Sequence, residues 1–176
     1  EERYKDEFTF ESMQLDWRNR GSYSTLATAK STGVRFYVAV PNDGAVEDAY
    51  SYEHWSHEGE TYFVPIINQY YKEFERLNSI SIDVRFNHAL PPNKSLEEHK
   101  VYTWWNIDVH IPKELTDDDP KIAFNILPII QQQGFQLEQL TLRYYNVMIQ
   151  IFEEEIPLIK NEKDLAKFVK TYEEVN

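Results

Sequence analysis

Three features of the sequence predict an α+β fold. Apolar residues recur at three- and four-residue spacing over two long stretches, several other stretches alternate strictly, and one hexapeptide recurs in similar form as a weak internal repeat. Val64-Pro65-Ile66-Ile67-Asn68-Gln69 returns as Leu127-Pro128-Ile129-Ile130-Gln131-Gln132, each copy inside a helix-period stretch that runs into an alternating strand. The expected architecture is one antiparallel sheet of about six strands, built from repeated strand-strand-helix units, with three helices on one face and the other face open.

Taken in order, the charged start Glu1-Glu2-Arg3-Tyr4-Lys5-Asp6-Glu7 reads as a flexible lead-in, followed by a strand over Phe8 to Trp17 and a turn at Asn19-Arg20-Gly21. Tyr23 to Ala29 fits either a strand or a short helix. Val34, Phe36, Val38 and Val40 alternate with Arg35, Tyr37 and Ala39, the period of a half-buried strand, and Pro41-Asn42-Asp43-Gly44 ends it. Ala45 to Gly59 is acidic, aromatic and irregular, and reads as a long connection.

A first helix is expected over Thr61 to Leu77, with Pro65 in its opening turn, because an interior proline lacks the N–H donor. Strands at Ile80 to Phe86 and Val101 to Ile111 follow. Asp119 and Pro120 suit the start of a second helix as cap and first-turn residue, Pro128 should kink or shorten it, and Gly134 stops it. Strands at Leu137 to Tyr145 and Val147 to Glu155 meet in a tight turn near Asn146, and Asn161 caps a last helix with Leu165, Phe168, Val169 and Tyr172 on its buried stripe. No Gly-, Pro- or Ser-rich linker divides residues 1–176, so a single domain is expected.

Composition narrows the function. Thirty Asp and Glu against 18 Lys and Arg leave a net charge of −12, and no basic stripe interrupts it, which disfavours nucleic acid and anionic bilayers as partners. The absence of cysteine removes thiol nucleophiles, disulfides and thiolate metal sites. The chain opens on Glu1 rather than methionine, from which a processed form is expected, its signal peptide or membrane anchor removed; an ordinary boundary after tag removal is the alternative.

Catalytic signals are weak. Glu53-His54-Trp55-Ser56-His57-Glu58 places two imidazoles three apart among carboxylates, but that is not a zinc-peptidase spacing and no third ligand is specified, so a solvated loop is expected. Asp117-Asp118-Asp119 lacks the spread of oxygen ligands and the glycine of a calcium loop. Neither a Gly-x-Ser-x-Gly elbow nor a glycine-rich phosphate loop occurs. The expectation is a domain with no catalytic residues, no metal and no cofactor.

A working surface is expected on the open sheet face. If helices cover the side bearing Ile80, Ile82, Val84, Trp105, Ile107, Val109, Leu140 and Leu142, the other side presents Arg35, Tyr37, Asp83, Arg85, Tyr102, Trp104, Asn106, Asp108, His110, Arg143 and Tyr145. Tyr, Trp and Arg among hydrogen-bonding groups is the composition of a protein interface, with Trp104 and Arg143 the expected anchors. The bland alternative is an ordinary solvated sheet whose aromatics shelter backbone hydrogen bonds.

Across Phe8 to Tyr172 the overall pattern resembles the TipC-type immunity proteins, membrane-anchored antagonists of secreted toxins that attack the cell-wall precursor lipid II. The resemblance implies an extracytoplasmic chain that captures a protein toxin directly and without a cofactor, its only link to the membrane a removed N-terminal anchor. An acidic surface would speed encounter with a basic partner. Two competing readings are a lipoprotein-like binder with an aromatic pocket between sheet and helices, and a hydrolase built on acidic residues and the His54/His57 pair.

Overall fold

The alternating segments form two sheets rather than one. The computed structural model describes residues 4–16, 21–41, 44, 46–72, 76–84, 96–99 and 103–172. The first sheet is antiparallel and comprises β1 (Phe8–Phe10), β2 (Gln14–Asp16), β3 (Ser22–Ala29), β4 (Arg35–Val40) and β5 (Glu47–Asp48); β1 and β2 both lie along β3, which pairs with β4, which pairs with β5. The second sheet holds β6 (Arg76–Val84), β7 (Thr103–His110), β8 (Gln136–Arg143), β9 (Val147–Phe152) and β10 (Val169–Thr171), in the order β10-β9-β8-β7-β6. It is mixed, because β7 and β8 run parallel. Helix α1 (Tyr50–Tyr70) leads into β6, the short α2 (Leu96–His99) lies between β6 and β7, and α3 (Asp119–Gln132) is the crossover from β7 to β8.

The doubled hexapeptide marks a real repetition with a different unit. Each copy occupies the last turns of a helix, and the order is helix-strand-strand: α1, β6, β7, then α3, β8, β9. Because β7 and β8 are parallel, their connection must cross over from one end of the sheet to the other, which α3 does, and the expected all-antiparallel sheet is not formed. Both prolines lie inside their helices on exposed positions, Pro65 in α1 and Pro128 in α3. Each proline costs its helix one backbone hydrogen bond, and burial of Phe63, Ile66 and Ile67 or of Ile126, Leu127 and Ile130 holds the helix.

Two further segments depart from expectation. The irregular stretch before Gly59 is the first half of α1, where Tyr50, Trp55 and Gly59 are buried. Aromatic burial, not helix-period patterning, carries that half. The expected last helix is a 3-10 helix, Glu162–Phe168, capped by Asn161 accepting from the Lys163 amide at 3.0 Å, and the chain then turns into β10. Leu165 and Phe168 are buried as expected. Glu153 to Glu155, expected as a strand end, instead opens a second 3-10 helix, Glu153–Leu158, whose Glu155 carboxylate accepts from the Phe152 amide at 2.8 Å.

The main core lies between the second sheet and the two long helices. Trp105, Ile107, Val109, Leu140 and Leu142, all expected on the covered face, are 0 to 1% exposed. Phe63 meets the Trp105 ring edge-on at 5.2 Å, Phe135 lies 4.6 Å from it, and the indole N–H donates to Thr103 Oγ1 at 3.1 Å. A second, smaller core joins Ala27, Ala29 and Phe36 of the first sheet to Tyr50 at the start of α1. Tyr4 and Asp6 are pinned to it rather than flexible. The Tyr4 ring packs 4.7 Å from Tyr50 and its hydroxyl donates to Asp48, while Asp6 accepts from Ser31 and from the Tyr50 hydroxyl.

A buried polar cluster closes one end of the main core. The hydroxyls of Tyr71 and Tyr144 are 2.7 Å apart, and Tyr172 donates to the Tyr144 carbonyl at 2.5 Å. Burial, with the Asp119 charge nearby, pushes both phenol pKa values above their ordinary range, so both stay neutral. Asp119 is wholly buried, and it does not cap its own helix: its carboxylate accepts from the Thr116 amide and hydroxyl, each at 2.7 Å, and pairs with Lys113 at 2.8 Å. Burial opposes its charge, but the bonds from Lys113 and Thr116 win and hold its carboxyl below the usual carboxylate value.

Two outcomes are expected from these contacts. Trp105→Ala should cost about 3–5 kcal/mol in denaturant unfolding, since it empties the centre of the main core. Because the folded Asp119 pKa lies below the ordinary 3.8, its contribution is complete above that value and lost as pH falls through the folded one. Asp119→Asn should therefore lower the thermal midpoint at neutral pH and flatten its decline between about pH 5 and 2.

Candidate protein-binding surfaces

The residues expected on one open face divide between the two sheets. Arg35 and Tyr37 belong to β4 of the first sheet; Asp83, Trp104, Asn106, Asp108, His110 and Arg143 fall on β6, β7 and β8 of the second. Arg85 and Tyr102 lie outside the described residues. Tyr145 is 63% exposed but sits in the turn after β8, past the end of the sheet. The expected set is therefore not one surface.

On the second sheet the expected row does lie opposite the core side. Asp83 pairs in register with Trp104, Asp108 with Thr141, and His110 with Arg143. The row is knitted to itself. Arg143 Nε donates to both Asp108 oxygens at 2.8 Å, with a third contact of 2.8 Å from its terminal nitrogen, and this pairing holds the guanidinium pKa above its usual value against the effect of burial. Asn106 donates to Glu138 at 3.1 Å, Gln139 to Thr141 at 2.6 Å, and Lys170 to Gln150 at 3.1 Å while standing 5.1 Å over the Phe152 ring.

Trp104 is 7% exposed and is not an outward anchor, which corrects the reading from alternation. Thr141 and Met148, on the same side, are also buried. Strand alternation assigns a side chain to a face, but its exposure depends on what packs over that face. Among the described side chains of this face, Asn106, Asp108, Gln139 and Arg143 are half-buried and bonded to neighbours.

The first sheet carries the accessible apolar surface. Of nine large hydrophobic residues exposed among the described residues, six belong to this sheet or its loops: Phe10, Met13, Tyr23, Leu26, Tyr37 and Val46. Leu26 and Tyr37, 36% and 48% exposed, are direct cross-strand partners. Around them stand Arg35, bonded to Glu11 across the sheet, and Thr28, which pairs with Arg35 in register. This is an apolar centre with a polar rim, the anatomy of an interface. Sequence pattern identifies Arg35 and Tyr37 and misses the others, because Tyr23 to Ala29 fits two element types and so has no assigned faces.

The imidazole pair lies on α1 rather than in a loop. His54 Nε2 is 3.2 Å from Glu58, and His57 Nδ1 is 3.9 Å from Glu60, so each turns to its own helical neighbour. Among the described residues no three His, Asp or Glu groups converge to hold a metal ion. The space between the second sheet and the long helices, where the competing reading puts a ligand pocket, is occupied by Phe63, Trp105, Phe135 and their aliphatic neighbours. An open cleft of about 490 Å³ lies instead between the start of α3 and the 3-10 helix at Glu162, lined by Leu115, Thr116, Lys121 and Lys163 among others. No described helix is long and apolar enough to cross a membrane.

No family model, curated protein or solved structure matches the chain.

The distinction between the two sheets is measurable. Trp104→Ala should destabilise the fold by about 3–5 kcal/mol as a buried aromatic deletion, whereas Tyr37→Ala, at an exposed position, should shift unfolding by about 0.5 kcal/mol or less. Paired urea titrations of the two variants check this.

Proposed function

We propose that this chain is a non-catalytic protein-binding domain, an immunity protein that works outside the membrane and neutralises a secreted bacterial toxin by direct capture. The observation that carries the reading is the concentration of exposed apolar side chains on the first sheet, in contrast to the packed apolar side chains of β7, β8 and β9 in the second. Leaving Leu26 and Tyr37, cross-strand partners on the face turned away from the small core, in water is unfavourable by roughly 25 cal/mol per Å² of apolar surface, which favours their being covered by a partner.

Two features suit a tight antagonist. The strands are anchored through the small core around Phe36 and Tyr50, so the surface is preformed and loses little entropy on binding. The net charge of −12 accelerates encounter with a basic toxin, an effect that weakens as salt rises. Assignment to toxin capture rather than to another protein partner rests on the resemblance to TipC-type immunity proteins. In this reading Leu26 and Tyr37 replace Trp104 as anchors, and Arg35 remains in the contact.

The test is protection. Exported into cells exposed to the secreted toxin encoded beside its own gene, the chain should restore growth and bind the purified toxin. Leu26→Ala combined with Tyr37→Ala should lose about 2–4 kcal/mol of binding, roughly 30- to 1,000-fold, at an unchanged thermal midpoint. If the unaltered chain neither protects nor binds, the reading is wrong.

A further inference from the structure

Among the described side chains of the first sheet and its lead-in, one carboxylate has no partner. Asp6 accepts from Ser31 and from the Tyr50 hydroxyl, Glu7 pairs with Lys30 at 2.9 Å, Glu11 pairs with Arg35, and Asp48 accepts from the Tyr4 hydroxyl and the Tyr50 amide. Glu47 of β5 is exposed, and its side chain makes no hydrogen bond or ion pair. Register places it on the face that carries Leu26 and Tyr37. Glu47 pairs with Ala39, two residues along β4 from Tyr37, while its neighbour Asp48 points to the other side, where it meets Tyr4. Tyr37 and Glu47 are therefore diagonal neighbours across β4 and β5, about 7–8 Å apart, a spacing from which long side chains reach a common group.

The two side chains ask for the same occupant. The face of a phenol ring attracts a cation, an unpaired carboxylate attracts it by charge, and Leu26, directly across from Tyr37, offers apolar surface to an aliphatic stem. Among the described residues no cation of this chain fills the place: Arg35, on the far side of Tyr37 along β4, is held by Glu11. A guanidinium suits it better than an ammonium, because its planar fork lies on the ring and still presents two N–H donors to a carboxylate. We infer that Tyr37 and Glu47, with Leu26 beside them, form a seat for an arginine side chain of the protein partner. This rests on the protein-binding reading above and names what the partner brings to the sheet. The net charge of −12 draws a basic partner from a distance, whereas an unpaired carboxylate beside an open ring fixes where its cation goes.

The experiment uses the whole chain, isotope-labelled, with N-acetyl-arginine methylamide as the probe and nuclear magnetic resonance as the readout. The Tyr37 ring and the Glu47 amide should shift together and saturably, and Glu47→Gln should weaken that response about threefold or more. Glu60→Gln, which removes an equal charge from an exposed position on α1, should leave it unchanged. Shifts spread evenly over the acidic surface, or a response that survives Glu47→Gln, would overturn the seat. A second arm uses the purified toxin encoded beside the gene, against which Glu47→Gln should weaken affinity about fivefold and flatten its dependence on salt. If the toxin binds both chains equally, the seat is wrong and the protein-binding reading survives. If the unaltered chain binds no toxin yet takes the arginine probe at Tyr37 and Glu47, the toxin assignment falls and the seat stands.

Discussion

Helix α1 is buried in a different core at each end, and the arrangement of the two sheets depends on that. Its first residue, Tyr50, packs among Phe36, Ala27 and Ala29 of the first sheet, while Phe63, Ile66 and Ile67 near its other end are in the main core. Twenty-one residues span about 30 Å, so one rigid rod connects a small core to a large one. The small core is too slight to be stable alone. It borrows order from the helix that the large core fixes.

The consequence is a division between scaffold and display. In the second sheet the apolar side chains of β7, β8 and β9 pack against α1 and α3, and the described polar side chains pair with one another as Asp108–Arg143, Asn106–Glu138 and Gln139–Thr141. Groups already paired with one another offer a partner little, since each new bond must replace an existing one. In the first sheet the small core covers part of one face and leaves the rest in water. The energetic imbalance is there, and so is the proposed contact.

The cluster of Tyr71, Tyr144, Asp119 and Lys113 shows how the scaffold joins its parts. It ties the end of α1, the start of α3 and the β8–β9 turn by hydrogen bonds in a buried setting, where an unpaired partner would cost about 1–3 kcal/mol. Polar groups of this kind specify one arrangement of the helix ends where aliphatic packing would tolerate several.

Local pattern alone determined the α+β class, most strand positions, the start and stop of α3 at Pro120 and Gly134, the cap at Asn161, and the buried side of β7 through Trp105, Ile107 and Val109. Each follows from a period, a cap or a turn residue acting within a few positions of itself. Tertiary structure decided what depends on distant neighbours. That the strands form two sheets, and that β7 and β8 run parallel, is decided by long-range strand pairing and by packing such as that of Tyr50 on Phe36, which no short-range period encodes. Pro65 is tolerated within α1 because it faces water, and the aromatic run before it is helical because Trp55 is buried. Alternation places Trp104 opposite Trp105 but does not give its exposure, which depends on tertiary packing. For the same reason the exposed face of the first sheet, with Leu26 beside Tyr37, emerged only once the strand register was known.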